Sequence, residues 1–310
     1  MKRAYISTIV PVALTINAAL YALSSRAQDP VKHPHEICTR AYLTDSAVVS
    51  GVLFQTFEND ANGWTCVRAS ADGKLLFQRT NGNDGAFTLG QKADKEESIP
   101  AILNGADLTG RGRPDMLISA WSGGAHCCRT DYIFELRPRF RLLATINDQD
   151  ADLSHFAQLD ITGPYYYLSA DYIFSYWYGS FAGSPVEPVI LEYRDDKNGG
   201  GFHLSVEKMR QPPPSKQEWD KALAQVENDI ANDPLNIRTD LWHEVLHLLY
   251  TGQADLAWKF IDDASPAAQK HPAPDLSAFC STLKESDYWR DLEPTITNMP
   301  KACREARPGR

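Results

Sequence analysis

Two imidazoles and a carboxylate stand close together in the string His243-Glu244-Val245-Leu246-His247. On a helix, positions 243 and 247 lie one turn apart on one face. Two ring nitrogens can then meet a single zinc ion, and Glu244 can take a proton from a metal-bound water. A catalytic zinc needs a third protein ligand, for which Asp255, His271 and Glu285 are the downstream candidates. The same segment has a plainer reading. At about 100° per residue, His243 and His247 share an arc with Asn236, Asp240, Tyr250 and Thr251. Leu241, Val245, Leu248 and Leu249 lie opposite, as in an amphipathic helix with a wet outer face.

A second concentration of chemistry runs from Asn104 to Asp131, NGADLTGRGRPDMLISAWSGGAHCCRTD. Asp107, Thr109 and Asp115 could offer oxygens to calcium, which takes six to eight of them. Arg111 and Arg113 place guanidinium groups beside those oxygens. In the alternative, Asp107 bonds backbone amides and Gly110 and Gly112 take positive φ in a turn. The triplet His126-Cys127-Cys128 could ligate zinc or present a His-activated Cys127 thiolate. Adjacent residues cannot easily face one ion, and a glycine turn followed by a strand with bridged cysteines uses the same residues. A third candidate is the aromatic stretch from Tyr165 to Phe181. Within it Tyr172, Tyr176, Trp177 and Tyr178 could stack on sugar rings or meet a protein partner, or could alternate into a core.

These residues must be held by particular elements. Lys2 and Arg3 precede an uncharged, mostly apolar run, Ala4 to Leu23, and Ser25-Arg26-Ala27 ends in small residues. We read residues 1–27 as a signal peptide, which implies an exported, periplasmic or secreted chain. The formal net charge is −9, and loss of Lys2, Arg3 and Arg26 makes the remainder more acidic. Such a chain is repelled by nucleic acid and by anionic membrane, and it carries no other segment suited to membrane insertion. Six cysteines in an oxidising compartment read as disulfides. Cys280 pairs best with Cys303, and Cys38 and Cys66 bond either each other or the Cys127/Cys128 doublet.

From residue 28 to 210 the pattern is that of short antiparallel strands. Ala47–Phe57, Trp64–Ala69, Leu75–Arg79, Met116–Trp121, Tyr132–Leu136, Phe140–Ile146, Pro188–Tyr193 and Phe202–Val206 are separated by turn residues such as Asp72-Gly73. The prolines at 212–214 interrupt any element, so 211–215 reads as a linker. Beyond it Ser215 and Glu218 form a capping-box pattern, and helical periodicity continues through 216–310. The predicted fold is α+β: a β-rich, propeller-like or sandwich-like domain at 28–210, then a small helical domain at 216–310.

Ala106-Asp107-Leu108-Thr109-Gly110 is echoed by Leu159-Asp160-Ile161-Thr162-Gly163, and each copy leads through a proline to an apolar strand. Such an echo marks a repeated supersecondary unit. DLTGRGRPDMLIS resembles the Asp-rich loop and strand of FG-GAP/VCBS repeats, known from integrin α-chain propellers and exported bacterial proteins. With SGGAHCC and the later LDITG…SADYIFSYW, the stretch from Ile99 to Arg194 is similar to uncharacterised exported bacterial proteins with degenerate repeats of this kind. The resemblance implies calcium ligation by Asp107, Thr109 and Asp115, with Arg111 standing where an acidic residue is usual. HEVLH resembles the zinc-binding helix of metallopeptidases over five residues, without the HExxHxxGxxH continuation. Gly252, Ala257, Ile261 and Ala264 are spaced as in the second half of a tetratricopeptide-type helix pair. The expected function is a non-catalytic binding or envelope-associated role toward a protein or carbohydrate ligand. It needs no cofactor unless calcium or zinc binds. The alternative is a zinc metallopeptidase.

Overall fold

The computed structural model describes residues 38, 41–59, 63–82, 85–124, 128–151, 153–195, 200–232, 239–268 and 276–308. The predicted leader, His126, Cys127, Asn236 and His271 lie outside these residues. Among them, twelve strands follow one another into three antiparallel four-stranded sheets, each a meander of consecutive strands. The first sheet holds β1 (Tyr42–Val49), β2 (Val52–Asn59), β3 (Trp64–Ala71) and β4 (Lys74–Asn81). The second holds β5 (Ala86–Leu89), β6 (Asp115–Trp121), β7 (Arg129–Glu135) and β8 (Arg141–Gln149). The third holds β9 (His155–Gln158), β10 (Tyr165–Asp171), β11 (Glu187–Arg194) and β12 (Gly201–Leu204). The fold is α+β, and the sheets do not close into a barrel.

The run from Ala47 to Phe57 proves to be two strands. Ser50 and Gly51 both take positive φ (51° and 79°), and Val49 pairs with Val52 across this two-residue turn. A left-handed pair matches the twist of a hairpin, but a Ser-Gly step inside an apolar run gives little sequence warning. Asp72-Gly73 turns the chain between β3 and β4 as expected.

The middle sheet is covered on both faces, which is why β6 reads as a nearly continuous apolar run and why even Asp131 and Glu135 of β7 are buried. Met116, Ile118 and Phe134 pack with Phe54 and Val67 of the first sheet. Leu117 and Ile133, on the opposite face, join Phe156 and Tyr167 of the third. The echoed pentapeptides fall at equivalent places, between the first and second strands of the second and third sheets. Their apolar residues nevertheless part company. Leu108 is buried at 4% exposure, whereas its counterpart Ile161 is fully exposed at 100%.

The helices are α1 (Val206–Met209), α2 (Lys216–Asn232), α3 (Thr239–Tyr250), α4 (Ala254–Ala268), α5 (Leu276–Leu283), α6 (Trp289–Leu292) and α7 (Lys301–Glu305). The capping box forms at the start of α2. The Ser215 N–H donates to Glu218 Oε2 at 2.7 Å, and the Glu218 N–H donates to Ser215 Oγ at 3.3 Å. Ala254, Ala257 and Ala264 are buried along α4, and small side chains there let α3 and α4 approach closely. Val245 and Leu249 of α3, Phe260 of α4 and Phe279 of α5 share one core with Leu191 and Leu204 of the third sheet. The chain is pinned by Cys38–Cys66 and Cys280–Cys303. Cys128 is also disulfide-bonded.

Candidate functional site

The Asp107 loop is organised by backbone and by arginine. Asp107 accepts the N–H groups of Arg111 (2.9 Å) and Gly112 (2.6 Å), while Gly110 and Gly112 take φ of 69° and 71°. Asp115 Oδ2 accepts the N–H and hydroxyl of Thr109 at 3.0 and 2.7 Å. Arg111 Nε donates to Thr109 Oγ1 at 3.0 Å. Its Nη2 lies 2.7 Å from Glu135 Oε2 and 3.9 Å from Asp115 Oδ1, charge contacts whose angles are not those of hydrogen bonds. The guanidinium thus stands among the oxygens that the resemblance would give to calcium. Burial pushes the Asp115 carboxyl up to about 6, against the opposing bonds from Thr109.

On α3, His243 is exposed, while Glu244 and His247 are half-buried. His247 Nδ1 lies 3.0 Å from Oε1 of Glu187, a buried carboxylate at the start of β11. That hydrogen bond raises the His247 pKa, with burial opposing it. Burial raises the Glu244 carboxyl. Among the described residues, no three His, Cys, Asp or Glu side chains are grouped to hold a metal ion. Tyr250 and Thr251, placed on the polar arc by helical spacing, are buried. The Tyr250 hydroxyl donates to Asp171 Oδ2 at 2.5 Å, which lets an amphipathic helix turn a tyrosine inward.

The His247–Glu187 contact has a pH signature. A raised folded-state pKa contributes stability that is complete below the unfolded value near 6.5. It is lost as pH rises through the folded value. We expect His247→Ala to lower the melting temperature by several degrees at pH 5.5 and by less at pH 8. Equal losses at both pH values would contradict a charged pair.

The aromatic stretch divides into rooted and presented rings. Trp177 packs edge-on against Phe174 and Trp242, and Tyr172 stacks on Phe181 at 6.0 Å. Tyr176 and Tyr178 are more than half exposed, on backbone at φ 57° and 53°.

The described residues also form a cleft of about 380 Å³, where β6 ends at Trp121 and β7 begins at Arg129. Lys92, Ser119, Ser154 and His155 line it with those two residues. Trp121 is 47% exposed. The Nδ1–H of His155 donates to the Leu153 carbonyl at 2.8 Å.

Beneath the cleft runs a chain of buried polar groups. Arg129 grips Asp131 with two bonds, Nε to Oδ1 at 3.1 Å and Nη2 to Oδ2 at 2.9 Å. Burial works against the Arg129 charge, but Asp131 outweighs it and the net shift is upward. The Tyr167 hydroxyl lies 2.6 Å from Asp131 Oδ2 and 2.5 Å from Asp148 Oδ2. Ser169 Oγ donates to Asp148 Oδ1 at 2.8 Å, and Ser154 Oγ donates to Ser169 Oγ at 2.9 Å. The chain therefore leaves the cleft at Arg129 and returns to it at Ser154. A phenol has one proton and cannot donate to two carboxylates at once, so one of the two carboxyls carries a further proton. Asp148 holds it. Burial, then repulsion from Asp131, push that carboxyl up to about 7, whereas Asp131 is tied to Arg129.

Sequence reading singled out none of Arg129, Asp131, Asp148 and Tyr167, although all but Asp148 lie inside its candidate stretches. Its available clue was an acidic residue inside an apolar strand, as at Asp131 in Thr-Asp-Tyr-Ile-Phe, because such a side chain must be paired when buried. The sequence matches no family model, no curated protein and no solved structure.

Proposed function

We propose that this is an exported, non-catalytic binding protein that holds a saccharide in the cleft beside Trp121. The observation that carries the reading is the half-exposed indole in a cleft where apolar groups such as Ala93 and Ile99 stand beside the hydroxyls of Thr88, Ser119 and Ser154 and the charged Lys92, Asp94 and Arg129. A flat apolar ring with donors around it suits a sugar, whose carbon face stacks while its hydroxyls bond. The polar chain beneath supports binding rather than turnover. Asp131 and Asp148 are almost completely buried, so neither carboxylate can reach a substrate, and what they do is fix Arg129 and Ser154 in place. Export is supported by the disulfides. No helix among the described residues is long and apolar enough to cross a membrane. A degenerate FG-GAP/VCBS-type repeat is supported by the equivalent positions of the two echoed loops.

Titrating a panel of neutral and acidic oligosaccharides against tryptophan fluorescence tests the reading. Binding is expected for at least one, and Trp121→Ala should weaken it by about tenfold, the upper end for an aromatic contact. A panel with no binder, or a binder indifferent to Trp121→Ala, defeats the assignment.

One contact favours the metallopeptidase reading: a buried carboxylate behind His247, the arrangement that orients a zinc-binding imidazole. Its third ligand would have to come from outside the described residues. About one zinc per chain in the purified protein, lost in His243→Ala, would establish it; no zinc would dismiss it.

A further inference from the structure

Asp148 is the extra residue of a β-bulge. Thr130 of β7 pairs with Asn147 of β8 and Arg129 pairs with Gln149, so no residue of β7 is paired with Asp148. Gln149 takes φ of 49°, in the left-handed region that few residues other than glycine occupy. A bulge re-aims a side chain out of the regular alternation, and the Asp148 carboxyl is carried inward to 1% exposure.

Three routes lead from that residue to the cleft. Through one set of side chains, Asp148 Oδ1 accepts from Ser169 at 2.8 Å and Ser169 accepts from the cleft-lining Ser154 at 2.9 Å. Through another, Asp148 meets the Tyr167 hydroxyl, then Asp131, then Arg129 on the cleft wall. Through the backbone, the Ala151 N–H donates to the Asp148 carbonyl at 2.8 Å, and the Ser154 N–H donates to the Ala151 carbonyl at 3.2 Å. His155, also on the wall, follows directly.

We propose that the proton shared among Asp148, Tyr167 and Asp131 sets the shape of the cleft wall, so that a saccharide is held while the proton is present and released when it is lost. The inference rests on the saccharide reading of the cleft. The phenol oxygen lies 2.6 Å from Asp131 Oδ2 and 2.5 Å from Asp148 Oδ2, and each gap needs a hydrogen. The phenol supplies one and a protonated carboxyl supplies the other. Without the second, two lone-pair oxygens face each other, and two buried carboxylates share the one guanidinium of Arg129. Repulsion then drives Asp148 off Tyr167. The joint that gives is the bulge, where the ladder has no partner for Asp148, and Ser154 and His155 move with it.

The surrounding groups set the pH at which this happens. Burial and then Asp131 push the Asp148 carboxyl up to about 7, while Tyr167, Arg129 and Ser169 pull against them. From the helical side Tyr288 faces both Asp148 and Asp171. Burial first, then Asp171 and Asp148, raise its pKa, so it stays neutral. Asp171 is bonded to Tyr250 and Ser286, Asp287 acts on it, and Asp150 stands on the turn beyond Asp148. Because the folded value is raised, binding that needs the proton is complete below it and is lost as pH rises through it.

The first arm of the test needs no ligand. The protein is labelled with 5-fluorotryptophan, and Trp121 is followed by 19F NMR from pH 5.5 to 8.5, its resonance assigned by its loss in Trp121→Phe. We expect the resonance to shift with a midpoint near 7, to stay fixed in Asp148→Asn, and to go on shifting in His155→Gln. A resonance that stays fixed in the parent, or that shifts equally in Asp148→Asn, overturns the proposal. So does a shift abolished by His155→Gln, a result that decides the matter even if Asp148→Asn fails to fold. In the second arm, an oligosaccharide that quenches Trp121 at pH 6 should bind about tenfold more weakly at pH 8, the ratio that one required proton imposes. Its affinity for Asp148→Asn should be the same at both. Equal affinities for the parent at pH 6 and pH 8 overturn the proposal. If no oligosaccharide binds, the saccharide reading falls, and the Trp121 resonance still decides whether the proton moves the wall.

Discussion

Between pH 5 and pH 8 the parent protein is expected to lose stability relative to an Asp148→Asn variant, by on the order of 2–4 kcal/mol. Asp148 stands at about 7 in the folded protein against an ordinary 3.8. A carboxyl with a raised folded pKa favours folding while it is protonated. Its contribution is complete below the unfolded value and disappears as pH climbs through the folded one. The window thus runs from about 4 to about 7. Asparagine cannot ionise, but its amide can donate to the Tyr167 oxygen and its carbonyl can accept from Ser169, so the variant keeps the connections without the titration. Burial first, then Asp131, Tyr167, Arg129 and Ser169, set this carboxyl. Urea unfolding of both proteins at pH 5, 6, 7 and 8 measures the difference directly. Parallel stability curves would mean that Asp148 is ionised throughout, and the proton count around Tyr167 would have to be redrawn.

Arg111→Ala should destabilise the protein by about 3 kcal/mol, the low end for breaking a buried ion pair by removing one partner. The low end applies because Arg113 and Arg141 still hold Glu135. What fails is the other side of the loop. Asp115 is fully buried and would lose its nearest cation, Thr109 Oγ1 would lose its donor, and Tyr193 would lose the stacked guanidinium. A second substitution, Asp115→Asn, should return part of the loss, because it removes the charge that Arg111 had offset. Equal stability of Arg111→Ala and the parent in urea would show that the loop is held by the Asp107 backbone bonds alone.

Much of the fold was legible because its signals are local. Turn dipeptides such as Asp72-Gly73, the Ser215/Glu218 box and the small residues of α4 act within a few positions, and each is realised. Cys280–Cys303 was readable from proximity in the chain, whereas Cys38–Cys66 was one of several pairings that only the fold decides. The candidate sites were legible in part. Asp107, Thr109 and Asp115 do share one loop, but the residue that completes it is Arg111, and its second partner, Glu135, lies in another strand. The cleft was invisible because Lys92 and Ser154 come from segments far in sequence from Trp121 and Arg129, which lie inside the Asn104–Asp131 stretch but flank its motifs rather than form them. Helical spacing misplaced Tyr250 because the spacing knows nothing of Asp171, the acceptor that draws its hydroxyl inward.

The order of the strands has a consequence for how the chain folds. Each sheet pairs consecutive strands, so most pairings span short loops and can form quickly, one sheet after another, as the N-terminus emerges first. The last core does not follow that order. Leu191 and Leu204 are covered by helices that lie beyond the prolines at 212–214. A chain halted there has every described strand yet leaves the third sheet's apolar face open to other chains. The last third of the chain to be synthesised therefore guards what precedes it against aggregation.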